Sequence, residues 1–265
     1  MSAMVIDVHG CISRATPPAR LNTYARLCGI HTVFAANRDA ASAPAGAGDV
    51  DEVDANLTCL QACEAHPHLT PVYWVRPGRP DSNALAFAGA LETAPFIGAL
   101  FSPVENDFEA DDKLLEPYLV ALAHLNCPAL FCYTDDERSA PSRVYEQARR
   151  HPEVTFVLCA GETSTEQRAA AREVVRQAVE REDADLLLNT AHSTEREITI
   201  AVRTVGPERV LFGTNAPAYG DSHVPRHIAL LDELRRDLPQ ANFQQVASAN
   251  AARVFGLWGK KVQKP

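Results

Sequence analysis

The chain has 265 residues, 46% of them hydrophobic, with a formal net charge of −9 and a sequence pI near 5.5. That apolar share supplies a substantial core, and the acidic balance disfavours nucleic acid or an anionic membrane surface as partners. No apolar run reaches the ~18 residues of a transmembrane helix. The seven cysteines are odd in number and scattered, which predicts a reduced, cytoplasmic protein rather than a disulfide framework.

In chain order, short apolar runs alternate with longer helical patterns. The strand candidates are 4–9, 31–36, 70–76, 96–101, 129–133, 155–159, 185–190 and 209–214. They are apolar nearly throughout, as parallel strands covered on both faces should be. Asp7 and His9 interrupt the first of them, so it does not read as a signal peptide. Helical patterns fall between the strands at 17–28, 53–66, 82–92, 112–125, 139–150, 164–182, 194–205 and 225–237, with a last one at 242–255. Ser164 with Gln167, Thr194 with Glu197 and Asn242 with Gln245 have capping-box spacing, and Pro141 suits a first helical turn. The alanine- and glycine-rich stretch 40–48 reads as an exposed loop after the second strand. No internal linker interrupts the alternation. The expectation is one α/β domain over 1–265, a (β/α)₈ TIM barrel, with an open doubly wound sheet as the less economical alternative.

In such a barrel the active site lies at the carboxyl ends of the strands. Strand 1 ends in His9 and Cys11, which point to one side at i and i+2. The other strand ends offer Asn37, Arg76, Ser102, Cys132 with Tyr133, Cys159 with Glu162, Asn189 to His192, and Asn215. His9, Cys11, Cys132 and Asn215 are the catalytic candidates. Arg76, Ser102, Tyr133 and His192 are the substrate-binding candidates. Imidazole and thiolate suit a soft metal, so His9, Cys11 and Cys132 are also the candidate ligands of one divalent ion, zinc; the alternative is a site that uses no metal. Arg209 sits at the opposite face and reads as stability.

The segment Ile6-Asp7-Val8-His9-Gly10-Cys11 resembles the opening Ile-Asp-x-His-x-His of the amidohydrolase superfamily, in its amidohydrolase-2 branch, which includes aminocarboxymuconate-semialdehyde decarboxylase. The run from Gly206 through Arg209-Val210-Leu211-Phe212-Gly213-Thr214-Asn215 to Pro217 is similar to its Gly-Pro-Asp-Arg-Val-Leu-Phe-Gly-Ser-Asp-x-Pro. The tail Asn250-Ala251-Ala252-Arg253-Val254-Phe255-Gly256-Leu257 resembles its closing motif. The resemblance implies an amidohydrolase-like barrel with a hydrolase or carboxy-lyase activity on a small carboxylate, lactone or amide. It also implies a homodimer as the expected assembly.

The family's metal positions fall on His9, Cys11, Cys132, Ala160 (with Cys159 beside it) and Asn215, and its strand 4 Lys-x-His falls on Leu100 and Ser102. Only His9 keeps the family residue. The neutral amide of Asn215 cannot take a proton from water as the family aspartate does. Glu162, His192, Asp221 and His223 are the alternative bases. Three readings follow. The first is an enzyme with a cysteine-containing or metal-free site. The second is a catalytically inactive pseudoenzyme that binds a small molecule or a partner subunit. The third is a separate zinc site at Cys59, Cys63, His66 and His68.

Overall fold

The computed structural model describes residues 4–41, 50–79 and 82–257. Among the described residues, nine strands are parallel neighbours in two runs: β1 (Ile6–Ile12), β2 (Thr32–Asn37) and β3 (Leu69–Pro71), then β4 (Tyr73–Val75), β5 (Ala99–Phe101), β6 (Ala129–Tyr133), β7 (Phe156–Ala160), β8 (Leu186–Asn189) and β9 (Val210–Leu211). The third expected strand is split at Val72 into β3 and β4. Hydrogen bonds bridge the split, since the Val72 N–H donates to the Ala35 carbonyl and the Ile97 N–H to the Pro71 carbonyl. At the other seam the Val8 N–H donates to the Phe212 carbonyl (3.0 Å), the Ala216 N–H to His9 (3.2 Å) and the Cys11 N–H to Ala216 (2.8 Å). These bonds return the last strand to the first, and the fold is a (β/α)₈ barrel.

Side-chain alternation along the strands builds two apolar layers. Val8, Phe34, Trp74, Leu100, Leu130, Val157, Cys159, Leu187 and Leu211 fill the barrel interior. Their neighbours, among them Val33, Tyr73, Phe101, Phe131, Tyr133, Leu158, Ala160 and Phe212, pack outward against the helices. The helices fall where the pattern placed them: Pro18–Cys28, Glu52–Ala65, Ala84–Thr93, Glu116–Leu125, Pro141–Arg150, Thr165–Arg181, Glu195–Val205 and His223–Asp237. Thr194 and Glu197 form a complete capping box, while Ser164 accepts only the Gln167 N–H. A short helix, Pro103–Asn106, follows β5 and has no counterpart among the expected helices.

The terminal helix starts earlier than expected, at Gln240 behind Pro239, so Asn242 is not its cap. It passes through a π turn at Gln245–Ala249 and ends at Val254. Its Asn250 amide donates to the carbonyls of Pro207 (2.7 Å) and Val210 (2.8 Å), tying the tail to the base of β9. Arg209 pairs with Asp185 at that same base. Most of the loop at 40–48 lies outside the described residues. No helix among the described residues is long and apolar enough to cross a membrane.

Candidate active site

β1 aims the central histidine through a bulge. Its register on β2 shifts between Asp7 and Gly10, and such a shift re-aims side chains. Val8 packs inside the barrel, and His9, its immediate neighbour, still reaches the mouth cavity. Gly10 takes the outward place, where a Cβ would stand 2.5 Å from Val33 Cγ1. Asp7 is fully buried beneath. Its Oδ1 accepts the N–H groups of His9 and Thr214, both at 3.0 Å, and its Oδ2 accepts the Thr214 hydroxyl at 2.6 Å. One carboxyl thus joins the first strand to the segment after the last.

The mouth holds a cavity of about 510 Å³ lined by His9, Cys11, Ser102, Cys132, His192 and Asn215, together with Arg38, Trp74, Glu105, Thr134, Glu162 and Tyr219. Residues spread from position 9 to 219 meet there because every strand delivers its carboxyl end to one face. Six of the eight expected site residues are on this lining. Two are not. Tyr133 follows Cys132 in β6, so its side chain points to the helix layer, where it is buried near Arg168 and Asn189. Arg76 is buried beside the helix that starts at Glu52: its backbone N–H donates to the Glu52 carboxylate (2.7 Å) and its guanidinium to the Val50 carbonyl (2.6 Å). Of the alternative bases, Glu162 and His192 line the cavity. Asp221 is exposed and paired with Arg20, and buried His223 stacks edge-on against Tyr24.

Alternation also corrects the placing of the strand 6 position. Ala160 faces the helices, and the inward residue is Cys159, which sits in register with Cys132. Cys11, Cys132 and Cys159 therefore all face the barrel interior, but the expected zinc trio does not form. Among the described residues no three His, Cys, Asp or Glu side chains converge to hold a metal ion.

The donor chemistry gives a second reason. Asn189 Oδ1 accepts the N–H groups of both Ala160 and Ala191 at 3.2 Å, which turns its amide nitrogen toward His9 Nδ1 at 3.1 Å. His9 Nδ1 is then an acceptor, and the ring proton sits on Nε2, facing Cys132 Sγ at 3.9 Å. A histidine that binds metal through Nε2 needs the opposite arrangement. The residues present do not fit a divalent metal. The Cys59 to His68 group does not form a site either: the Cys59 thiol donates to the Ala35 carbonyl (3.1 Å), and His68 Nδ1 bonds the His31 carbonyl.

Burial sets the charge states. It pushes His9 down to about 3, helped by His192 and Arg38, and His192 down to about 4, helped by Arg168 and Arg226. The Cys11 thiol is pushed up to about 12 by burial and by Glu105. The Cys132 and Cys159 thiols are also pushed up by burial, with neighbouring thiols adding to it. At neutral pH the floor of the cavity is a set of neutral imidazoles and protonated thiols. The charged groups on the lining are the Arg38–Glu105 ion pair and Glu162. One flank carries a hydrogen-bonded series: Asn215 Nδ2 lies 3.0 Å from His192 Nε2, and the Tyr219 hydroxyl lies 2.8 Å from His192 Nδ1.

Arg38, Glu105, Trp74, Tyr219 and the role of Asn189 are not evident in the sequence reading. Arg38 had a usable signal, as the first charged residue after strand 2. Glu105 belongs to the unanticipated short helix.

A barrel with its polar cavity at the carboxyl ends of the strands is the architecture of an amidohydrolase-type protein. The amidohydrolase family model matches residues 6–257, and the chain belongs to that family. Solved structures of similar fold include 2,6-dihydroxybenzoate decarboxylase from Rhizobium (TM-score 0.70, 13% identity, covering 97% of this chain and 99% of that one). They also include 5-carboxyvanillate decarboxylase from Sphingomonas paucimobilis (0.67, 14%, 96% and 99%). A third is a TIM-barrel protein from Bordetella bronchiseptica (0.72, 14%, 97% and 100%). No curated protein matches the chain in sequence.

Proposed function

We propose that this amidohydrolase-family chain acts on a small carboxylate at the barrel mouth, as a carboxy-lyase rather than a hydrolase, and without a divalent metal. The observation that carries the reading is the donor geometry of the floor: the Asn189 amide faces His9 Nδ1 at 3.1 Å, which turns the Nε2–H toward Cys132 Sγ at 3.9 Å. Hydrolysis needs a base or a metal to activate water. The floor offers neither, because its imidazoles are pushed down, its thiols are pushed up and an amide stands at Asn215, which leaves Glu162 and the Arg38-paired Glu105 on the lining as the carboxylates that hydrolysis would have to use. Loss of CO₂ makes a different demand, a proton delivered to the carbon left behind. Cys132 keeps its proton at neutral pH, and His9 Nε2–H faces its sulfur.

In this scheme the carbon–carboxylate bond breaks and leaves its electron pair on carbon. That carbon takes the Cys132 proton, and solvent reprotonates the sulfur. His9 stabilises the transient thiolate by charge-assisted hydrogen bonding. Arg38, ion-paired with Glu105, is the basic group on the lining that can attract the substrate carboxylate. The substrate must be able to hold the electron pair, as an electron-rich aromatic acid or a β-keto acid can. The decarboxylase fold neighbours are consistent with the choice and do not decide it.

The second reading is a barrel that binds such a ligand without turning it over, which Asn215 and the uncharged floor favour. The deciding test is CO₂ release from a panel of hydroxybenzoates and β-keto acids, under reducing conditions with and without chelator. Release that survives chelation and is lost in Cys132→Ser is the expected result. Release that needs added metal would refute the scheme. Saturable binding without release would leave the second reading.

A further inference from the structure

The hydrogen bonds around Asn189 carry an inference that rests on the metal-free reading of the mouth and deepens it. Asn189 ends β8, 180 residues from His9 in sequence, and is buried. Its amide orientation is set by the backbone. Oδ1 is shared by the N–H groups of Ala160 and Ala191. A flipped amide would aim its NH₂ at both and leave buried donors unsatisfied, at a large cost. The floor beneath is shaped to the amide, since a Cβ on Gly213 would stand 2.9 Å from Asn189 Nδ2. In this orientation Nδ2 can only donate, so His9 Nδ1 can only accept.

We infer that Asn189 is a positioning residue that fixes His9 as the Nε2–H tautomer, so that His9 presents a hydrogen-bond donor to Cys132 and the cavity and has no lone pair there for a metal. An aspartate at 189 would have the opposite effect. One oxygen would keep the two backbone N–H groups, and the other would accept from Nδ1–H, freeing the Nε2 lone pair. That carboxylate–histidine arrangement is the one that supports metal-bound imidazole. One amide in place of one carboxylate thus decides whether His9 offers the cavity a proton or a lone pair.

The test is ¹⁵N-histidine NMR on the full chain, with the His9 signals assigned by their loss in His9→Gln. The expected result for the wild type is the Nε2–H tautomer across neutral pH. An Nδ1–H tautomer would overturn the inference, with no variant needed. Asn189→Asp is expected to invert the tautomer, and an unchanged tautomer in that folded variant would also overturn it. Competition of Zn²⁺ against a chromogenic chelator is expected to show roughly 10–100-fold tighter binding by Asn189→Asp than by the wild type. An inverted tautomer with unchanged zinc affinity would overturn the claim that the tautomer keeps a metal off His9. These readouts do not depend on turnover. If no carboxylate releases CO₂ while wild-type His9 is Nε2–H, the proposed activity fails and the role of Asn189 stands.

Discussion

Replacing Asp7 by asparagine isolates the energy stored at the barrel seam. Asp7 is wholly buried, and burial pushes its carboxyl from 3.8 to about 7 against the opposing hydrogen bonds from Thr214 and His9. A folded-state value above the unfolded one means that the folded protein holds more protons between the two values. Stability therefore falls as pH rises through that window, and the loss is complete above about 7. The separation corresponds to on the order of 4 kcal/mol, of which roughly 2–3 kcal/mol is lost between about pH 5 and about pH 8. The amide of Asp7→Asn would not titrate, and its Oδ1 can keep both backbone donors. The substitution should leave stability within about 1 kcal/mol of the wild type at about pH 5 and make the variant the more stable of the two at about pH 8. Burial pushes His9, His192, His223 and His227 down to between about 3 and about 4. Their contribution has the opposite sign, rising with pH up to their unfolded values, but it is common to both proteins and cancels in the difference. Urea midpoints at the two pH values give that difference. A gap between wild type and Asp7→Asn that stays constant within about 0.5 kcal/mol would refute the assignment of a burial-raised carboxyl to the seam.

Other consequences of the site can be checked separately. Cys11, pushed up to about 12, should react with iodoacetamide at about pH 7.5 more than ~100-fold slower than a free thiol, because only the thiolate attacks; a comparable rate would mean an ionised mouth. Arg38→Gln should raise KM for an anionic substrate by roughly tenfold with kcat within about twofold, the signature of lost uniform binding. An equal fall in kcat would instead place the guanidinium in the chemical step. Tyr133→Phe should leave turnover within about twofold, since Tyr133 lies in the helix-facing layer and an exchange away from the reacting groups removes no transition-state contact. A large loss would mean that its hydroxyl reaches the cavity.

The parts of the fold legible in the sequence were those governed by local physics. Parallel strands covered on both faces show as continuous apolar runs, and Thr194 with Glu197 marked a helix start that the structure reproduces. Strand ends located most of the mouth because barrel geometry sends every carboxyl end to one face. What the sequence does not resolve is the choice between adjacent residues. An apolar strand does not reveal which of two neighbours points inward, so the sequence alone puts Tyr133 at the cavity with Cys132 and Ala160 where Cys159 stands. Arg76 differs for another reason: a charged strand end reads as a rim residue until the buried Glu52 that accepts its backbone N–H is known. Asn189 was visible as one polar residue in a strand-end run. Its role depends on Ala160, Ala191 and His9, which are brought together only by ring closure.

The His192–Asn215 flank shows how the wall of the mouth is held in shape. His192 and Asn215 both hold left-handed backbones, with φ of 59° and 55°, and their side chains meet at 3.0 Å. Such conformations persist in non-glycine residues only where surrounding contacts over-determine them, at a cost of about 1 kcal/mol or more each. The Tyr219 hydroxyl on His192 and the Ala218 N–H on the Asn215 carbonyl (2.9 Å) are those contacts. Of the five non-glycine residues with positive φ among the described residues, Asp107, Asn126 and Glu182 end helices, while His192 and Asn215 stand together on the wall of the polar cavity. The amide at Asn215 supplies no base, and its nitrogen lies 3.0 Å from His192 Nε2 on this wall. The side chains on this wall are thus held in place by one another, and the polar cavity at the barrel mouth keeps its shape whether it turns a ligand over or only binds it.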